Sequence, residues 1–170
     1  MVEDSTLLQF HQKVGILLRM KKLVIFDWGR TLFNPETSKL FPDTVEVLEC
    51  LSQKYTLAIV ALATAGEEKI QERLQFIKEN DLERYFASIL FDVSDKDSLY
   101  VKTLKDLNIT SEETVIIDDR VLRGVDWGNK NGATTVWFQN GKFANELPNN
   151  NTGEPDYIVH SLLEIKDIKF

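Results

Sequence analysis

Leu23-Val24-Ile25-Phe26-Asp27-Trp28-Gly29-Arg30-Thr31-Leu32 is an apolar run that ends in a carboxylate, a glycine turn and a hydroxyl. Four apolar residues bounded by turn residues read as a buried strand of a parallel sheet. Asp27 then emerges at the carboxyl edge of that sheet, where open α/β folds place their ligands. The arrangement recurs at Thr114-Val115-Ile116-Ile117-Asp118-Asp119. Two buried strands delivering carboxylates to one edge point to a cation site, a carboxylate nucleophile, or both.

Working outward, strands are expected near residues 22–27, 56–62, 87–91, 113–118 and 133–138, with a shorter one near 156–159. Helices are expected near 43–54, 66–79, 97–107, 121–131 and 161–168. Strands alternating with helices of about ten residues imply right-handed crossovers and a mostly parallel sheet covered on both faces, an α/β fold in three layers. Pro42-Asp43 marks the start of the first crossover helix, and Thr64-Ala65-Gly66-Glu67 matches a capping box. Residues 5–20 place Leu7, Phe10, Val14, Leu17 and Leu18 on one helical stripe. The expected organisation is therefore an N-terminal helix within 1–21 packed on a single domain of 22–170.

Composition narrows the classes of function. At 170 residues and 43% apolar content the chain can bury one sizeable core. A net charge of -7 leaves no basic footprint for a nucleic-acid partner. No apolar run approaches the roughly 20 residues of a membrane span, and the N-terminus Met1-Val2-Glu3-Asp4 is acidic where a signal peptide is basic. Cys50 is the single cysteine, which excludes an intrachain disulfide. A cytoplasmic location is the expectation.

The acidic edge suits Mg2+. Two or three oxygens converging from Asp27 and the Asp118-Asp119 pair, with waters completing an octahedron at about 2.0–2.1 Å, is how that ion is usually held beside a phosphate. Such an ion would offset the repulsion between an acidic protein and a phosphorylated ligand. The hydroxyl of Thr31 adds an oxygen near the turn.

Asp27-Trp28-Gly29-Arg30-Thr31-Leu32 after an apolar strand resembles the first motif of the haloacid dehalogenase-like superfamily, usually Asp-x-Asp-Gly-Thr-Leu. Val115-Ile116-Ile117-Asp118-Asp119 resembles its last motif. The Gly132-Ala133-Thr134-Thr135-Val136-Trp137 strand and the Pro155-Asp156-Tyr157-Ile158-Val159 segment also look like family features, and the likeness extends over residues 22–168. The resemblance implies a Rossmann-like sheet of five strands in the order 5-4-1-2-3, which brings the ends of the first and fourth strands together. It also implies phosphoryl transfer through an aspartyl-phosphate. Asp27 would be nucleophile and metal ligand, with the Gly29 carbonyl and Asp119 completing the protein ligands for Mg2+.

The departures from the pattern are informative. Gly29 stands where the family has the Asp that protonates the leaving group. General acid–base assistance is typically worth about 10²- to 10⁴-fold, so slow turnover follows. Ala61 stands where the second motif has a Ser or Thr; Thr64 nearby is either an N-cap or a phosphate ligand. Ser94 aligns with the third-motif lysine, and Lys96 either replaces that lysine or is a solvated charge beside Asp95 and Asp97. Gly124 replaces a further acid of the last motif, with Asp126 close by. Arg30 and Arg120 each either fork onto a phosphate or pair with Asp118. Trp28 and Trp127 read as packing residues.

About thirty residues separate Thr31 from Ala61, too few for an inserted cap domain. That discounts the capped phosphonoacetaldehyde hydrolase and haloalkanoate dehalogenase branches. It also implies an open site closed by a phosphorylated macromolecule or a large substrate. Two functions follow: a slow Mg2+-dependent phosphohydrolase, or a catalytically impaired relative serving as a phosphate-binding, metal-binding or protein-interaction module. A receiver-like domain has the wrong order of acids, and no Gly-x-Gly-x-x-Gly follows a strand to bind a dinucleotide.

Overall fold

The computed structural model describes residues 20–170. The helix expected over residues 5–20 lies, but for Met20, outside the described residues. The central strand β1 (Leu23–Phe26) is wholly buried. It pairs in parallel with β4 (Thr56–Leu62) on one side and β6 (Thr114–Asp118) on the other. Next to β4 lies β5 (Ser88–Asp92), and beyond β6 come β7 (Thr134–Phe138) and β8 (Tyr157–Val159). The sheet order is β5-β4-β1-β6-β7-β8, all parallel. This is the expected order with a sixth strand added at one edge, since three residues of backbone pairing suffice to dock β8 on β7.

Period-two alternation in β1 divides the core. Val24 and Phe26 pack with Val47, Leu48 and Leu51 of α1 (Thr44–Ser52), Ile77 of α2 (Glu67–Glu79), and Leu162 and Ile165. Leu23 and Ile25 pack on the other face with Tyr100 of α3 (Lys96–Leu107) and Trp127 of α4 (Asp126–Asn131). The result is three layers, as the pattern of strands and helices requires. Between β1 and α1 the chain makes a two-stranded ribbon, β2 (Phe33–Asn34) with β3 (Lys39–Leu40). No helix among the described residues is long and apolar enough to cross a membrane.

Helix ends depart from expectation in three places. Thr64 does not cap α2: it is exposed, and the N-cap is Gly66 at φ 110°, a conformation open to glycine. The helix expected over 121–131 begins as a π turn, Val121–Val125, before α4 continues. Close packing accompanies that wide turn, because a Cβ on Gly124 would lie 2.5 Å from the Asp118 side chain. The expected helix 161–168 is a 3-10 helix, Leu162–Asp167, started by a capping box between Ser161 and Glu164.

Gly128 shows how tightly α4 meets the sheet. A Cβ there would lie 2.4 Å from Thr135 Cγ2. Thr135 cannot rotate away freely, since its hydroxyl bonds Asn129 Oδ1 at 3.0 Å and accepts from the Asp156 N–H at 3.1 Å. Gly128→Ala gains about 1 kcal/mol of helix propensity but overpacks the seam. With Thr135 held, the clash outweighs that gain, and urea denaturation is expected to show a net loss of up to about 2 kcal/mol.

Candidate active site

Strand register assembles the acidic cluster. Phe26 pairs with Ile117, and the Asp27 N–H donates to the Ile117 carbonyl at 2.9 Å. Asp27 and Asp118 therefore leave adjacent strands side by side, with Asp119 one step beyond. Asp27, Asp118 and Asp119 each offer an oxygen within 4.8 Å of the others, and all three residues are buried.

A lysine from a third element joins them. Asp92, at the end of β5, accepts from the N–H groups of Ser94 and Asp95 at 2.7 and 2.8 Å, which fixes the turn into α3. Asp95 then caps that helix by accepting from the Ser98 N–H at 3.0 Å. Lys96 is the first helical residue, an unfavourable place for a cation against the helix dipole. Two carboxylates offset that. Lys96 Nζ lies 2.5 Å from Asp27 Oδ1 and 2.6 Å from Asp118 Oδ2, with the lysine side chain only 4% exposed. Lys96 is therefore no solvated charge, whereas Ser94 is exposed and bonds Asp92.

One ammonium against three carboxylates leaves the cluster short of positive charge. Burial opposes the charged form of Lys96, but Asp118 and Asp27 outweigh it and hold the amine well above its ordinary value. Burial pushes the Asp27 carboxyl up to about 6, with Lys96 opposing the rise and Asp118 adding to it. Asp119 is pushed up to about 9, first by burial and then by repulsion from Asp118 and Asp27. Its Oδ2 is buried without a hydrogen-bond partner among the described residues, although its backbone carbonyl accepts from Trp137 Nε1 at 3.1 Å. An orphaned oxygen in an all-carboxylate set is what a hard divalent cation satisfies, so Asp27 and Asp119 fit Mg2+.

The other candidate residues divide into those near the cluster and those drawn elsewhere. Thr31 is wholly buried and its hydroxyl has no hydrogen-bond partner among the described residues. Gly29, two residues past Asp27, lines an adjoining pocket. Thr64 is exposed. Arg30 adopts φ 69° and pairs with Glu36 at 3.1 Å. Arg120 does not pair with the Asp118 side chain: its Nε lies 2.7 Å from Glu146 Oε2, and its guanidinium sits 3.8 Å from the Phe143 ring centroid. Only the Arg120 backbone N–H serves Asp118, at 2.8 Å from Oδ1. Asp126 is paired with Lys130.

One residue near the cluster escaped the sequence reading. Arg73 of α2 lies close enough to Asp27 for its charge to favour the carboxylate. Its Nη1 donates to the Leu62 carbonyl at 2.5 Å, and its Nη2 lies 3.9 Å from where a Gly29 side chain would begin. A signal existed: Arg73 shares the inward stripe of α2 with Ile70 and Ile77, an unusual place for a cation.

Comparison with known proteins agrees with this geometry. A family model described as haloacid dehalogenase-like hydrolase matches residues 3–138. A glyceraldehyde 3-phosphate phosphatase from Pyrococcus furiosus is 34% identical over 71 residues, which are 41% of this chain and 29% of that relative. The match thus spans under a third of the relative's length. A phosphatase structure from Thermococcus onnurineus aligns at 26% identity and TM-score 0.58, covering 76% of this chain and 57% of that one. A putative hydrolase from Bacillus subtilis, YfnB, solved with magnesium, shares the fold at 12% identity and TM-score 0.70, covering 87% of this chain and 98% of that one.

Two outcomes follow from the charge balance. Lys96→Met strands two buried carboxylates, and denaturation should show a loss of about 3–5 kcal/mol. Mg2+ should raise the melting temperature of the native chain, a stabilisation of about 2.7 kcal/mol at a hundred times its Kd. In Asp119→Asn that thermal shift should vanish while the metal-free protein remains folded.

Proposed function

We propose that this chain, which belongs to the haloacid dehalogenase-like hydrolase family, is a slow Mg2+-dependent phosphomonoester hydrolase with Asp27 as its nucleophile. The observation that carries the reading is the buried contact of Asp27 with Lys96, at the edge where Asp118 and Asp119 also emerge. A carboxylate built only for structure needs no third acid with an orphaned oxygen beside it.

Lys96 holds Asp27 Oδ1, which leaves Oδ2 as the attacking atom. A bond forms from that oxygen to phosphorus as the bond from phosphorus to the leaving oxygen breaks, giving an aspartyl-phosphate. Water then attacks phosphorus, the bond to Asp27 breaks, and phosphate departs with the carboxylate restored. Asp27, Asp119 and the Gly29 carbonyl would hold Mg2+, which when bound supplies charge neutralisation for the transferring group. The buried hydroxyl of Thr31 lies in the turn that follows the nucleophile, and Lys96 keeps Asp27 oriented. Gly29 has no side chain to donate or accept a proton, so both halves of the reaction lack about 10²- to 10⁴-fold of assistance.

The ribbon β2–β3 is the only structure inserted between β1 and α1. A phosphorylated macromolecule or a large substrate closing the site is consistent with so small an insertion. Phosphate release from a panel of phosphomonoesters, glyceraldehyde 3-phosphate included, tests the reading with Mg2+ and with chelator. Turnover should need the metal and fall to background in Asp27→Asn. Equal rates in the two proteins would leave the alternative, a catalytically impaired binding or interaction module.

A further inference from the structure

Against the turn that follows Asp27 lies a cavity of about 340 Å³ bounded by Trp28, Phe33, Phe76, Gly29 and Arg73. Its volume is at the small end of the range for ligand pockets. Trp28 and Phe33 stack at 5.6 Å and 9° between planes, and Phe76 meets both edge-on, at 6.0 and 5.0 Å. Trp28 is itself buried and braces the other two, so the part-exposed rings of Phe33 and Phe76 form the preformed apolar wall that another ring can meet.

Three cations border this cavity, and two are already matched. Arg30 pairs with Glu36 and Lys69 with Glu72. Arg73 has no carboxylate ion-pair partner among the described residues. Its guanidinium is braced by the Leu62 carbonyl and stands 5.6 Å from the Phe91 ring centroid. The fork is therefore fixed in place with donors to spare, and Nη2 is the heavy atom nearest to where a Gly29 side chain would project.

We propose that this pocket receives the aromatic leaving group of an aryl phosphate, and that Arg73 stabilises the departing oxyanion where Gly29 supplies no acid. The proposal rests on the phosphohydrolase reading above and adds its substrate class. A guanidinium does not give up its proton near neutral pH, so it acts by hydrogen bonding to charge rather than by proton transfer. As the bond to phosphorus breaks, its electron pair passes to the phenolic oxygen, which leaves as an anion hydrogen-bonded to Arg73 and takes a proton from water afterwards. Phenolates are far weaker bases than alkoxides, so this route serves aryl esters and disfavours alkyl ones.

The test compares kcat/KM for phenyl phosphate, 2,4-dinitrophenyl phosphate and glycerol phosphate in the native chain, Arg73→Lys and Arg73→Met. Phenol is about as basic as a tyrosine side chain, near 10, whereas the dinitrophenolate already holds its own charge. Arg73→Met should lose about 10²- to 10³-fold on phenyl phosphate, the scale of one lost oxyanion donor. It should lose less than tenfold on the dinitrophenyl ester, and Arg73→Lys should fall between. Equal losses on both aryl esters, or native turnover of glycerol phosphate as fast as of phenyl phosphate, would overturn the proposal. Absence of turnover in every protein would instead sink the hydrolase reading. Ligand-observed NMR with 4-nitrophenolate then decides the pocket alone: binding lost in Arg73→Met supports it, and no binding to the native chain ends it.

Discussion

A single ammonium wedged between two carboxylates governs the organisation of this protein. Lys96 bridges Asp27 and Asp118, and so ties the first turn of α3 to the carboxyl ends of β1 and β6. Separating these charges inside the protein would leave each without solvent or partner, a cost of several kcal/mol per ion. The sheet edge therefore has one arrangement in which its charges are tolerable. Even that arrangement is incomplete, because Asp119 contributes a third carboxylate whose Oδ2 has no hydrogen-bond partner among the described residues. The imbalance turns a packing solution into a candidate metal centre.

The two sides of Asp27 divide the chemistry. Toward β6 lie acids and Lys96, suited to holding a metal and a phosphoryl group. Toward α2 lie aromatic rings and Arg73, suited to holding whatever the phosphoryl group leaves behind. Gly29 sits between them. Its missing side chain removes a proton donor and at the same time leaves the approach between Arg73 and the nucleophile open.

Legibility in the sequence followed how local each interaction is. The central strand was readable because Leu23 to Phe26 are buried on both faces of the sheet, which produces an unbroken apolar run. Sheet order followed from the family resemblance, and the short strand expected near 156–159 is β8, which joins the sheet as a sixth member beyond the five that the resemblance implies. The role of Lys96 stayed open because its sequence neighbours are acidic and exposed. Only the placement of α3 against β4 and β5, from which Lys96 reaches the ends of β1 and β6, shows that its side chain points inward. The capping box at Thr64 failed because Gly66 offered the chain a tighter entry into α2. Arg73 was overlooked on a helix rich in charged residues, since its importance comes from a gap at residue 29 far away in the chain.

The wide turn at Val121–Val125 carries one more implication. Such a turn accommodates an extra residue without disturbing the helix that follows. Excising one residue there would restore ordinary spacing and rotate everything downstream by about 100°. Trp127 would then swing off Tyr100, on which its ring now stacks at 4.5 Å, and a different side of α4 would confront Thr135. The bulge thus acts as a phase-setter: it lets Gly124 clear Asp118 while Trp127 and Gly128 still arrive at the sheet in step. Chain length across these five residues is therefore as tightly constrained as their identity.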